Sequence, residues 1–466
     1  MKLPKSIKET QDGLAKKKFS AVQLVDEYLT RIEKYDGKIN SFLTVSDELA
    51  YKQAKNVDKK IEDMGLKAFE EYPLLGVVVA HKDLFLVKGI RTTAGSKVLE
   101  DFIPTYSATI VKRLENAGAI TIGKTNCDAW AHGASGENSD FGATTNPWNT
   151  EYVPGGSSSG SAAAVAAQFS LMTTGTDTGG SIRQPANFCG VVGFKPTYGA
   201  VPRYGVIAMA SSLDSVGHFG QTVEDVEKMF EITKGEDKKD STVINVKSKS
   251  PKTKLKIGIP KEYFIDGIDP EVKKSVEEAT EIFKKQGVEL VSVSLPHTKY
   301  AISVYYILQP AEVSSNLGRY DGIRYGKDRT SMGAEAKRRI MLGTYVLSAG
   351  YYDDYYLKAQ KVRSKIIEDF DEVFKQVDAI IAPVSPTPAF KLGEKTEDPL
   401  QMYLADILTA AANIAGIPGL AIPSGSTRKG LPLGFQLMGA RFSEDVLFKL
   451  GRLYQKSINW DPKGAF

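Results

Sequence analysis

Residues 76–85 read GVVVAHKDLF, and a second apolar run, AITI at 119–122, follows the glycine at 118. The valine-rich run 76–80 fits a buried strand, and so does AITI; residues 107–116 between them fit a helix. Strand, helix, strand is the rhythm of an α/β sheet. Upstream, residues 20–35 open with Ser20 and Gln23 as a capping box and place Leu24, Val25, Tyr28, Leu29 and Ile32 on one helical face, within a helical N-terminal segment of about 1–65. Downstream the rhythm returns. Asp269 is placed to cap a helix that starts with Pro270 and carries Val272, Val276, Ala279 and Phe283, and Gly287 then precedes the strand-like VELVSV.

Two stretches break this pattern. Residues 234–254 are polar and charged, as expected of a surface connection. Residues 154–180 are rich in glycine and serine and nearly uncharged, which suggests close approach of the backbone to something.

The chain has 466 residues, enough for a large core, and its 42% hydrophobic and 25% charged residues are those of an ordinary globular protein. Its 60 basic and 56 acidic residues leave a net charge of +4, so no nucleic-acid footprint is expected. Cys127 and Cys189 allow at most one disulfide, which points to a reducing compartment and to buried thiols rather than a cysteine-built metal site. The first eighteen residues are charged throughout and have no apolar core, and no apolar run reaches membrane-spanning length. A soluble cytoplasmic protein of bacterial type is expected.

Two motif matches lack their structural context. Gly118 to Thr125 fits the P-loop pattern, but a strand fills the gap between its glycines where a flexible loop is required. Gly156 to Gly160 fits the nucleophile elbow around Ser158, but NPWNTEYVPG precedes it in place of a strand. The four histidines, His81, His132, His218 and His297, show no pair spacing and read as structural. A histidine-free chemistry remains, in which a lysine kept neutral by burial activates a serine. Lys82, directly after the apolar run, is the candidate base. Ser181, after two glycines whose N–H groups can face an oxyanion, is the candidate nucleophile, with Asp177 as a turn-stabilising residue.

The segments HKDLF (81–85), PGGSSSGSAAAVAA (154–167) and GTDTGGSIRQPANFCGVVGFKPTYG (175–199) stand in the order found in the amidase signature family, which the chain resembles. The resemblance implies one domain over 1–466, a central mixed β-sheet flanked by α-helices on both faces. It also implies a catalytic set of Ser181 as nucleophile, Ser157 as bridging serine and Lys82 as base, with a cis peptide at 156–157. The oxyanion donors would be the backbone N–H groups of Thr178, Gly179, Gly180 and Ser181. No metal or cofactor is implied on this chain.

Further stretches at 195–226, 314–326, 337–363 and 399–425 are similar to the members of that family that hydrolyse glutamine for tRNA-dependent amidation. That likeness implies glutamine bound by Tyr305, Arg339 and Asp406: a guanidinium fork for the α-carboxylate and a carboxylate for the α-ammonium. It implies a heterotrimer with B and C subunits. The B subunit would hold the misacylated Glu-tRNA(Gln) or Asp-tRNA(Asn), ATP and Mg2+, and no membrane is involved. Cys127 and Trp130 replace an expected methionine and phenylalanine, His81 replaces an aliphatic residue, and the loop after Tyr325 is short. The competing readings are a stand-alone amidase for another small amide, a nucleotide-binding protein built on 118–125, and a scaffold without activity.

Overall fold

A computed structural model describes residues 1–245, 252, 254–264, 266–324, 326–396, 398–458 and 460. Among the described residues, eleven strands form one sheet. They are β1 (Phe42–Val45), β2 (Val78–Lys82), β3 (Ile120–Thr125), β4 (Met172–Asp177), β5 (Val192–Lys195) and β6 (Ser215–Gly220). The second group is β7 (Lys256–Pro260), β8 (Glu289–Val293), β9 (Ala379–Pro383), β10 (Gly419–Ser426) and β11 (Pro432–Gly439). Their order is β1-β3-β2-β4-β6-β5-β10-β11-β9-β7-β8. The sheet is mixed: β3, β2 and β4 run parallel, as do β8, β7 and β9, while antiparallel pairs join the two groups.

The expected helix near 20–35 spans Ala21–Ile39, with the Ser20/Gln23 capping box formed and Leu24, Val25, Tyr28 and Ile32 buried. The helix Pro270–Lys285 starts under the Asp269 cap and buries Val272, Val276, Ala279 and Phe283. The N-terminal segment is not purely helical. FLTV at 42–45 forms edge strand β1 between two helices, a run too short for its alternation to stand out. Of the polar stretch 234–254, residues 246–251 and 253 lie outside the described residues.

Two strands differ from their expected bounds in ways that matter. The strand expected at 76–80 runs from Val78 to Lys82, so Lys82 is its last residue rather than its successor. Similarly, β3 takes in Gly123, Lys124 and Thr125. Lys124 is buried, with Nζ 2.8 Å from both Asp83 Oδ1 and Thr92 Oγ1. A side chain at Gly123 would collide with the Thr44 carbonyl. The P-loop match is thus a strand, with no cradle for a phosphate.

The Gly/Ser-rich stretch does bring backbones together. The helix Ser159–Ala166 is buried along its whole length, and a Cβ at Gly160 would meet the backbone of Ser41 and Asn126. Because β2 and β4 are parallel neighbours, with His81 opposite Thr174, their carboxyl ends deliver Lys82 and Thr176 to the same edge of the sheet, beside the start of this helix. Among the described residues, no helix is long and apolar enough to cross a membrane, and no three His, Cys, Asp or Glu side chains are grouped to hold a metal.

Candidate active site

The end of β2 supplies an amine surrounded by hydroxyls. Lys82 Nζ lies 2.8 Å from Ser157 Oγ, 3.0 Å from Ser158 Oγ and 2.9 Å from Thr176 Oγ1. The side chain is fully buried. Burial pulls its pKa down to about 8, against the opposing pull of Asp128, Asp177 and Asp214. The hydrogens can be assigned in part. Ser158 Oγ donates to the Thr176 carbonyl at 3.1 Å, so toward Lys82 it can only accept. A neutral amine has two hydrogens and one lone pair. With the hydrogens on Ser158 and Thr176, the lone pair faces Ser157 and can take its proton.

The peptide bond between Gly156 and Ser157 is cis. Gly156 is enclosed: its N–H donates to Gln184 Oε1 at 3.0 Å, and a Cβ there would strike Asp128. The nearby Asp128 carboxyl is pushed up to about 6 by burial, even though it accepts the N–H groups of Asn138 and Gly136.

Ser181 lies on the loop between β4 and the helix Arg183–Cys189, and its carbonyl accepts the Ser158 N–H at 3.2 Å. Its side-chain hydroxyl has no hydrogen-bond partner among the described residues, so Lys82 bonds Ser157 directly, while Ser181 is tied through its backbone to the neighbouring Ser158. Of the four expected oxyanion donors, the N–H of Gly180 is committed to Asp177 Oδ1 at 2.9 Å. Those of Thr178, Gly179 and Ser181 have no partner among the described residues.

Asp177 does more than stabilise that turn. Burial alone would raise its pKa, yet the Arg183 guanidinium holds it down to about 2 through contacts at 3.0 and 3.1 Å. Arg183 also reaches Gln436 Oε1 at 2.8 Å, the Thr409 carbonyl at 3.0 Å and Asn413 Oδ1 at 2.7 Å. The loop that carries Ser181 is thereby fastened to the segment that carries Asp406. Thr409 Oγ1 adds a bond to the Gly179 carbonyl at 2.5 Å.

Tyr305, Arg339 and Asp406 come from three separate segments and are all buried. Tyr305 packs against the 178–181 loop: a Cβ at Gly179 would lie 2.8 Å from its hydroxyl. Tyr306, which the sequence does not single out, links the other two. Its hydroxyl donates to Asp406 Oδ2 at 3.3 Å, and its ring lies 5.5 Å from the Arg339 guanidinium carbon. Burial lifts Asp406 to about 7, with Arg339 opposing the rise. Arg339 Nε donates to Glu335 at 2.8 Å, and its two terminal nitrogens have no partner among the described residues. That is a free fork of the geometry that suits a carboxylate.

The remaining candidates fall outside the chemistry. Cys127 and Cys189 are free, buried thiols. His81 sits between Thr174 and Thr121, and His218 bonds Thr233, while His297 bonds Asp369. His132 differs, because neither of its ring nitrogens has a partner among the described residues.

A family profile described as Amidase matches residues 23–448. The chain belongs to the amidase family. This amidase is 50% identical to the A subunit of the glutamyl-tRNA(Gln) amidotransferase of Geotalea daltonii, over 99% of this chain and 98% of that one. It is 51% identical to the protein of the same name from Carboxydothermus hydrogenoformans, over 98% and 97% of the two chains. Among solved structures, the glutamyl-tRNA(Gln) amidotransferase A subunit of Thermotoga maritima superimposes with a TM-score of 0.83 at 39% identity, covering 99% of this amidase and 96% of that chain. The mixed sheet with helices on its faces is the fold of this family.

Proposed function

We propose that this amidase hydrolyses glutamine as the A subunit of a glutamyl-tRNA(Gln) amidotransferase and supplies ammonia for amidation of misacylated tRNA. The observation that carries the chemistry is the contact of 2.8 Å between the fully buried Lys82 amine and Ser157 Oγ. Similarity to such A subunits over nearly the whole of both chains supports the assignment within the family.

In this reading, neutral Lys82 takes the proton of Ser157, Ser157 takes that of Ser181, and Ser181 Oγ attacks the side-chain carbonyl carbon of glutamine. The oxyanion is met by the free N–H groups of the 178–181 loop. The relay then runs back and protonates the departing nitrogen, which leaves as ammonia when the C–N bond breaks. Water adds to the ester carbonyl, gives its proton to the relay and releases glutamate with Ser181 restored. Arg339 holds the α-carboxylate and Asp406 the α-ammonium, with Tyr305 against the oxyanion loop.

The assembly belongs to the same reading: a cytoplasmic heterotrimer with B and C subunits, in which the B subunit holds the Glu-tRNA(Gln) or Asp-tRNA(Asn), ATP and Mg2+ and receives the ammonia. The whole chain acts as one amidase domain. The test is amidation of mischarged tRNA by the complex. Replacing Ser181 by Ala should abolish amidation from glutamine but leave amidation from added ammonium chloride. Retained glutamine-dependent amidation in that variant would overturn the proposal.

A further inference from the structure

The cavity beside the Arg339 fork contains a polar side chain that the chemistry above does not use. His132 is fully buried, and both of its ring nitrogens lack a hydrogen-bond partner among the described residues. It lines a cavity of about 220 Å³ together with Tyr306, Glu335, Arg339 and Tyr403. Buried polar atoms in folded proteins are nearly always satisfied, so a ring in the cavity wall whose two nitrogens have no partner among the described residues calls for an explanation.

The loop that carries it is held in place. The His132 N–H donates to the Ala129 carbonyl at 2.9 Å, and the His132 carbonyl accepts from Asn138 Nδ2 at 2.6 Å. Asp128 ties down the far side of the loop through the N–H groups of Gly136 and Asn138. Trp130 and Ala131 adopt φ of 59° and 63°, a left-handed turn rare for residues with side chains, which sets the direction in which the chain enters His132.

Burial, reinforced by the Arg339 charge, keeps the imidazole neutral. A neutral ring offers one N–H and one lone pair. Among the other donors in the cavity wall are the terminal nitrogens of Arg339, whose Nε is already taken by Glu335. The ligand chemistry that satisfies both is an anion with two oxygens: one on the guanidinium fork, the other within reach of an N–H.

We propose that His132 is a substrate-binding residue, its ring N–H donating to the α-carboxylate that Arg339 holds. The inference rests on the reading of the Arg339 pocket as the glutamine site. It adds a recognition element from the loop 128–138 to those supplied by the helices that carry Tyr305 and Arg339.

The test uses the full-length chain with Ser181→Ala, which binds glutamine without turning it over, and calorimetric titration. Adding His132→Leu should weaken glutamine binding roughly 10- to 100-fold, the range for a hydrogen bond to a charged group. His132→Gln, which keeps an N–H donor, should retain most of the affinity. The imidazole ¹⁵N resonances should move on adding glutamine, which a purely structural histidine would not show. 4-Aminobutanamide, which has no group in place of the α-carboxylate, should bind the parent and His132→Leu alike. If His132→Leu binds glutamine like its parent while Arg339→Met binds it more than tenfold weaker, the role of His132 is refuted and the pocket stands. If neither substitution weakens binding, the glutamine site itself is misplaced. Should His132→Leu fail to fold, the glutamine variant and the ring resonances decide: unmoved resonances refute the proposal.

Discussion

Ser158 Oγ lies 3.0 Å from Lys82 Nζ and gives its own hydrogen to the Thr176 carbonyl, so the hydroxyl beside the bridging serine can only accept from the amine. It turns the lone pair of the neutral lysine away from itself, toward the hydroxyls of Ser157 and Thr176. Replacing Ser158 by Ala leaves one amine hydrogen unplaced and lets the lone pair wander. Turnover should fall by about 10- to 100-fold, as befits loss of an orienting hydrogen bond in a proton relay, with KM for glutamine little changed. Steady-state kinetics on the complex check this; a change confined to KM would argue against the orientation of the amine.

The pH profile follows from the same amine. Lys82 acts as a base only when neutral, and burial holds its pKa near 8. Activity should therefore rise through about pH 8 and level off above it. Asp406, at about 7, must be ionised to hold an ammonium, so it adds a second loss of kcat/KM on the acid side. Lys82→Met should remove at least ~10³-fold of kcat at every pH. A profile flat from pH 6 to 9 would contradict both assignments.

Asp406 also makes a stability prediction of definite sign. Its carboxyl is raised from 3.8 to about 7 in the fold, so between about pH 4 and 7 the folded state binds more protons than the unfolded chain, and stability falls as pH rises. Asp406→Asn removes that charge. The variant should be more stable than its parent at pH 8, by about 2 to 4 kcal/mol, and gain little at pH 4. It should also lose glutamine binding. Thermal melts at the two pH values check this, and a gain that is equal at both would refute the linkage.

Arg183 and Asp177 form a buried pair that fastens the nucleophile loop to Thr409 and Asn413. Removing one partner leaves a buried charge uncompensated, at a cost of about 3 to 5 kcal/mol. Arg183→Met should lower denaturant stability by that amount and lower kcat as the Ser181 loop loosens. Equal stability of variant and parent would show the pair to be dispensable.

Some of this architecture can be read from the chain, and the reason differs from residue to residue. The helices near 20 and 270 announce themselves through local caps and an apolar stripe, because capping and helical burial are set by neighbours three and four residues apart. The strand β1 is four residues long and has only one buried position, so no alternation marks it. The ends of β2 and β3 run past their apolar cores into lysines, which stay in the sheet because each finds buried hydroxyl or carboxylate partners from distant segments. Lys82 and Ser181 can be named in advance from a lysine at a strand end and a serine after two glycines, and Ser157 through family resemblance. Ser158, Thr176, Tyr306, Glu335 and Thr409 cannot, since their roles exist only once β2, β4 and the helices around 305, 339 and 410 are brought together. The Gly180 N–H, expected to face an oxyanion, is taken instead by the Asx turn at Asp177.

The most direct measurement of the central claim is the site of the covalent intermediate. The chain should be mixed with glutamine, quenched in acid within a turnover, digested and analysed by mass spectrometry. The account predicts a glutamyl ester on the peptide that contains Ser181, absent from Ser181→Ala and scarce in Lys82→Met. An ester on Ser157 or Ser158, or brisk ammonia release from Ser181→Ala, would contradict it.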